Sequence, residues 1–211
     1  MVRVWLPDRP GALGQVASRI GAVRGDVVGI DILERGGGRV VDELVVSLPD
    51  ASIVELLVAE ITQVDGVAVE DVRRVASDRP DAGLVALEMA ACLTEAPPVD
   101  RLDMLCRNLA TLLDGGWVVA LEAGSEHGLV SIGAPPDTAW IAAFIDGSRH
   151  LSVADQAAGA PDDLAWARLS MADVTVAIGR TGRPFHARER QQVALLSRVA
   201  DALLVGSRPV P

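Results

Sequence analysis

Between Val2 and Val75 the chain alternates strand-like and helix-like segments with only short turns between them, in the order β, α, β, β, α, β. That order leaves few ways to cover a sheet. Val2, Val4 and Leu6 alternate as a half-buried strand does, and Pro7 ends it. Leu13, Val16, Ala17 and Ile20 recur at helical spacing, just after Pro10 and before Gly25, as a proline start and glycine stop predict. Val28, Ile30 and Ile32 form a second strand. Gly36-Gly37-Gly38 supplies a turn that tolerates positive φ, and Val40 to Leu48 return as the hairpin partner. Ser52 and Glu55 have capping-box spacing ahead of a helix carrying Leu56, Leu57 and Ile61. A last strand runs near Val67 to Val72, and its pairing is open from sequence. These elements predict an α+β, ferredoxin-like first domain over residues 1–76.

A polar, proline-broken stretch follows, and residues 77–82 read as a linker. Residues 83–211 form a second domain with another element order. Leu84 to Leu93 and Leu102 to Leu113 read as helices, and Trp117 to Leu121, Leu129 to Ile132 and Trp140 to Ile145 as strands. A loop is expected from Asp155 to Asp163, then strands at Trp166 to Ser170 and Val174 to Ile178. The final helix spans about Ala187 to Leu204, with Val193, Leu196, Val199, Leu203 and Leu204 on its apolar side.

Half of the 211 residues are apolar, enough for a substantial core. No apolar run reaches the roughly eighteen residues of a membrane span, and no signal core follows Met1, so a soluble, cytoplasmic protein is expected. The net charge of −10 disfavours nucleic acid, whose binding depends on neutralised phosphates. A basic face around Arg180, Arg183, Arg188 and Arg190 is the one local exception to weigh. All nineteen basic residues are arginine, which excludes Schiff-base lysine chemistry and a Walker loop. Cys92 and Cys106 lack zinc spacing and read as buried thiols. No spacing unites His127, His150 and His186 with a nucleophile and an orienting acid; Ser152 and Asp155 near His150 sit in a turn-like region. The reading is therefore of a non-catalytic protein without metal or cofactor.

The functional signal lies in Asp8-Arg9-Pro10-Gly11-Ala12-Leu13, which joins the first strand to the first helix. Amides of Gly11, Ala12 and Leu13 should lie unpaired at a helix N-terminus and attract a carboxylate, and Gly11 has no Cβ to hold a ligand away. Asp8 could accept hydrogen bonds from an ammonium group. The same residues also fit a purely structural turn in which Asp8 caps the helix and Pro10 starts it.

This loop, with the β-α-β-β-α-β order, resembles the ACT domain, a regulatory module that commonly binds amino acids at interfaces between paired domains. The resemblance covers about a third of the chain and implies a ligand-contacting turn at Asp8 to Leu13. Many members carry an asparagine early in the second strand; here Val27 occupies that position and cannot make the bond. Asp26 or Asp31 are the nearby substitutes, and Asp31 shares Val27's face by the period-two rule.

The second half resembles a GAF domain, a sensory fold with helices on one side of an antiparallel sheet. The resemblance is strongest at Arg183-Pro184-Phe185-His186-Ala187-Arg188-Glu189, with His186 where many relatives have a threonine cap. Asn108 without any lysine departs from the cyclic-nucleotide motif, bilin attachment needs an accessible cysteine, and His127 or His150 would stand alone as a haem ligand. The two resemblances together imply a regulatory protein that binds a small effector, an amino acid, through its first domain. A homodimer or higher homo-oligomer is expected, since a four-stranded sheet leaves edges open. The alternatives are an oligomerising interaction module without a ligand, and an enzyme.

Overall fold

The computed structural model describes residues 1–76, 80–148 and 163–205. Two units are present: residues 1–79 with 186–188, and residues 80–185 with 189–211. Each described unit is built on a four-stranded antiparallel sheet, so the class is α+β.

In the first unit the order is β1 (Val2–Pro7), α1 (Ala12–Ala22), β2 (Asp26–Gly36), β3 (Arg39–Ser47), α2 (Val54–Thr62) and β4 (Ala68–Val72). The strands lie β2-β3-β1-β4 across the sheet. The last strand, whose pairing the sequence leaves open, runs antiparallel to β1, with Val72 opposite Val2. Val2, Val4, Leu6 and Leu44 pack with Val16 and Ile20 of α1 and Leu57 and Ile61 of α2. One alternating face and two helical stripes thus make one core, each large aliphatic side chain contributing about 1.5–3 kcal/mol by leaving water. Gly37 and Gly38 hold φ of 58° and 74°, and Gly36 pairs with Arg39, which makes a two-residue hairpin turn that residues with a Cβ enter only under strain.

Two local expectations for this unit are corrected. Ser52 does not cap α2: Asp50 accepts a hydrogen bond from the Ser52 amide at 2.8 Å and opens a short 3₁₀ turn, Ala51–Ile53, ahead of the helix. The Asp50 carboxylate engages both the amide and the hydroxyl of Ser52. In addition, β2 is longer than expected and its register with β3 shifts between Val27 and Gly29 and again between Ile32 and Glu34.

The second unit contains α3 (Ala82–Glu95), α4 (Arg101–Leu113), β5 (Trp117–Glu122), β6 (Gly128–Gly133), α5 (Thr138–Ser148), β7 (Leu164–Leu169), β8 (Val174–Gly179) and all but the first two residues of α6 (Ala187–Val205), which fall in the first unit. Asp81, expected in the linker, is the N-cap of α3, accepting from the Gly83 and Leu84 amides at 2.9 Å. The strands lie β6-β5-β8-β7. One sheet face packs on α3, α4 and α6 through Leu93, Leu105, Leu109, Val118, Val176, Ile178, Val193 and Leu196.

The segment Trp140 to Ile145 is helix α5, not a strand. Asp137 accepts from the Ala139 amide at 2.9 Å, and Ile141 and Ile145, four apart, are both buried. With Val119, Leu121 and Ala177 they form a second cluster, so this sheet carries helices on both faces rather than one. An apolar run of six residues fits a strand or one side of a short helix, and here the aspartate cap decides. The expected loop from Asp155 falls, up to residue 162, outside the described residues, as do His150 and Ser152. No helix among the described residues is long and apolar enough to cross a membrane.

The basic face around Arg180 is corrected as well. Arg180 is buried, donating to the carbonyls of Leu113, Arg183 and Pro184 and to both oxygens of Glu189 at 2.8 and 2.9 Å. Its guanidinium lies 3.9 Å from the Phe185 ring centroid. Arg183 reaches Asp114, and Arg190 the carbonyls of Phe185 and Leu164. Glu189, in the first turn of α6, is therefore held by Arg180.

Candidate functional site

In the first unit the strand-to-helix turn is tied down at its base: the Asp8 amide donates to Gly38 O at 2.9 Å and the Arg9 amide to Pro7 O at 2.8 Å. Gly11 is the N-cap of α1, with φ 86° and ψ −10°, a left-handed conformation costly for residues bearing a Cβ. No side chain caps the helix, so the structural role expected for Asp8 is overturned; its carboxylate instead faces Arg35 at 3.7 Å. Nothing lies within 4 Å of where a Cβ on Gly11 would be. The space above this helix start is open, and the first turn carries no acidic residue to offset the positive end of the dipole.

Of the three amides expected to be unpaired, that of Ala12 donates to Arg9 O at 3.3 Å, closing the turn on itself. Those of Gly11 and Leu13 have no intrahelical carbonyl to reach. Asp8, Arg9, Pro10 and Gly11 are exposed, Ala12 is buried, and Leu13 is half-buried against the core. Ala12 and Leu13 thus offer the site backbone only.

Val27 and Asp31 do not share a face. Val27 pairs with Val46 and packs on the core, whereas Asp31 pairs with Glu43 on the opposite face and meets Arg188 at 2.7 Å. The register shift after Val27 inserts one residue and inverts the alternation, as a bulge does. Asp31 is therefore on the face opposite to Val27.

The sequence reading did not single out Asp42. Asp42 in β3 lies opposite Val4 on one side and Ile32 on the other, on the helix-covered face shared with Val40 and Leu44. Only 3% of it is exposed, and its Oδ1 has no hydrogen-bond partner. Burial pushes its carboxyl above the usual range; Arg35 opposes that shift and Asp8 adds to it. The signal was present in Val40-Val41-Asp42-Glu43-Leu44, where alternation puts an aspartate between two core positions.

The other face of the same sheet is satisfied. Arg3 donates to Glu43 at 2.8 Å and lies 3.6 Å from Glu70, Arg73 reaches Glu43 at 3.3 Å, and Trp5 Nε1 donates to Glu70 at 2.8 Å. His186, which belongs to this unit, places its ring nitrogens 3.1 Å from Glu34 and 2.9 Å from Glu70. Burial pushes His186 down, but the bonds to Glu70 and Glu34 outweigh it and leave the imidazole raised. Each charge here is met by an opposite one.

A separate cleft of about 610 Å³ opens near the start of β1, lined by Val2, Val46, Leu48, Leu57, Val72 and Arg74 among others. It lies at the far end of β1 from Gly11, and Ser52, Glu55 and Arg73 add polar groups to its lining. No cluster of three or more His, Cys, Asp or Glu suited to a metal occurs among the described residues. His127 is exposed in the turn between β5 and β6. Cys106 is fully buried, its thiol pushed up to about 12 by burial, and Cys92 is half-buried. The chain matches no family model, no curated protein and no solved structure.

Proposed function

We propose that this chain is a non-catalytic regulatory protein that binds a small amino acid at the turn between β1 and α1, in the manner of the ACT domains it resembles. The observation that carries the reading is Gly11: a left-handed glycine at an uncapped helix start, open above its Cα, presents main-chain amides and a positive dipole end to a carboxylate. Asp8 supplies an adjacent exposed acceptor for an ammonium group. The strand order β2-β3-β1-β4 leaves β2 at an edge, with Val28, Ile30 and Ile32 all about half exposed. That apolar edge supports assembly as a homodimer or larger homo-oligomer. The second unit, in the GAF-like reading, carries the response or a second effector site.

Thermal-shift measurements with each of the twenty L-amino acids test the reading. A ligand at a hundredfold excess over its Kd stabilises the fold by about 2.7 kcal/mol, a shift that is easily read. Flat curves for all twenty overturn amino-acid binding and favour the interaction-module reading, which the half-exposed β2 edge also supports. Light scattering at tens of micromolar reports the oligomer, and a monomer contradicts assembly.

A further inference from the structure

We infer that Asp42 is the residue that reads the cationic end of the ligand, so that the site selects compounds bearing a primary ammonium over their hydroxy counterparts. This rests on the amino-acid reading above and adds a specificity-determining residue to it. A carboxylate on the core face of a central strand is expensive to bury, and native proteins nearly always give such a group a partner. Asp42 is 3% exposed and its Oδ1 has none. Its packing neighbours across the ladder are Val4 and Ile32, which supply no donor.

The charged groups around it are Asp8, in the candidate turn, and Arg35, at the end of β2. Arg35 and Asp8 stand 3.7 Å apart with their side chains 61% and 40% exposed, a loose pair of the kind worth little in water. Asp42 stands two positions along β3 from Val40, which pairs with Leu6 and with Arg35, so it lies one step in from the strand end where that weak ion pair and the turn are found. An ammonium has three donors and no acceptor, so it can satisfy Asp42 Oδ1 and Asp8 together. A hydroxyl brings one donor and no charge. Leaving a buried carboxylate unpaired strongly disfavours the analogue that lacks the donor, which makes the site selective.

The test uses the full chain, its Asp42→Asn variant and, in case the amide perturbs folding, Asp42→Val. Probes are the twenty L-amino acids, the 2-hydroxy acid matching any that binds, and ethanolamine as an amine without a carboxylate. The expected result is an amino acid that stabilises the wild type, a matching hydroxy acid at least tenfold weaker, and at least a tenfold loss of affinity in both variants. Both apo variants should melt at or above the wild-type temperature, because a binding group without a partner is not there for stability.

Equal binding of amino and hydroxy acid, or full affinity in the variants, overturns the role of Asp42 while amino-acid binding stands. Stabilisation by ethanolamine alone, lost in Asp42→Asn, keeps Asp42 and overturns the amino-acid reading. No shift with any probe overturns both. Clearly lower melting temperatures in both variants assign Asp42 to the fold and end the proposal.

Discussion

The two units treat buried charge differently. In the second, Arg180 is enclosed by three carbonyls and the Glu189 carboxylate, so each of its three guanidinium nitrogens donates to a protein acceptor. In the first, Asp42 is buried as deeply yet its Oδ1 meets nothing. Breaking a satisfied buried pair is strongly destabilising, whereas a buried carboxylate oxygen without a partner is itself a cost to the fold. The comparison separates two arrangements that a survey of buried charges alone would group together.

The largest effect should come from breaking the satisfied network. Arg180→Met removes the guanidinium that binds the buried Glu189 carboxylate and the Leu113 carbonyl, and removal of one partner of such a pair costs about 3–5 kcal/mol. Urea unfolding followed through the second unit should show it. A change under 1 kcal/mol would mean that Glu189 finds water or another donor and that the contrast between the units is smaller than the geometry suggests.

Asp42→Val should act in the opposite direction and less strongly, raising stability by about 1–3 kcal/mol at pH 7 by removing an unsatisfied polar group. The pH dependence sharpens this. Because the folded-state carboxyl is raised above its unfolded value, with Arg35 opposing and Asp8 assisting the shift, its contribution is fully present below the unfolded pKa and is lost as pH rises through the folded value. The stability gap between Asp42→Asn and the wild type should therefore widen in the variant's favour as pH rises from 4 to 7. A gap independent of pH contradicts the raised carboxyl.

The smallest effect concerns Gly11. Its φ of 86° makes any side chain there cost about 1 kcal/mol, although asparagine and aspartate tolerate this region best. Gly11→Asn and Gly11→Asp should thus lose similar stability by thermal melting. Only the aspartate should also repel a carboxylate ligand, which calorimetry with an amino acid found to bind reads as a larger affinity loss than in the asparagine variant.

Much of the first unit was legible because β1 alternates cleanly and α1 begins after Pro10 and ends before Gly25. What failed there failed for local reasons. The bulge after Val27 inverts a two-residue period that the sequence continues without a break, so Asp31 was assigned to the wrong face. Asp50 stands two residues before Ser52, takes its amide and opens a 3₁₀ turn ahead of the helix. In the second unit Trp140 to Ile145 was read as a strand because six apolar residues carry no period of their own, although Ile141 and Ile145 are one helical step apart and Asp137 stands before them. Asp42 was overlooked for a different reason. Charge in a strand usually marks the solvent face, and only the two core neighbours at Val40 and Leu44 show that this one points inward.

The central claim is that a small amino acid occupies the turn between β1 and α1, and amide chemical shifts of the full chain test it most directly. Titration with each L-amino acid that stabilises the protein should move the amides of Gly11, Ala12, Leu13 and Asp42 together, saturating at one Kd, while Val54 to Leu57 and Val72 to Val75 around the separate cleft stay in place. Shifts confined to that cleft or to the second unit, with Gly11 and Asp42 unmoved at saturation, would contradict the account.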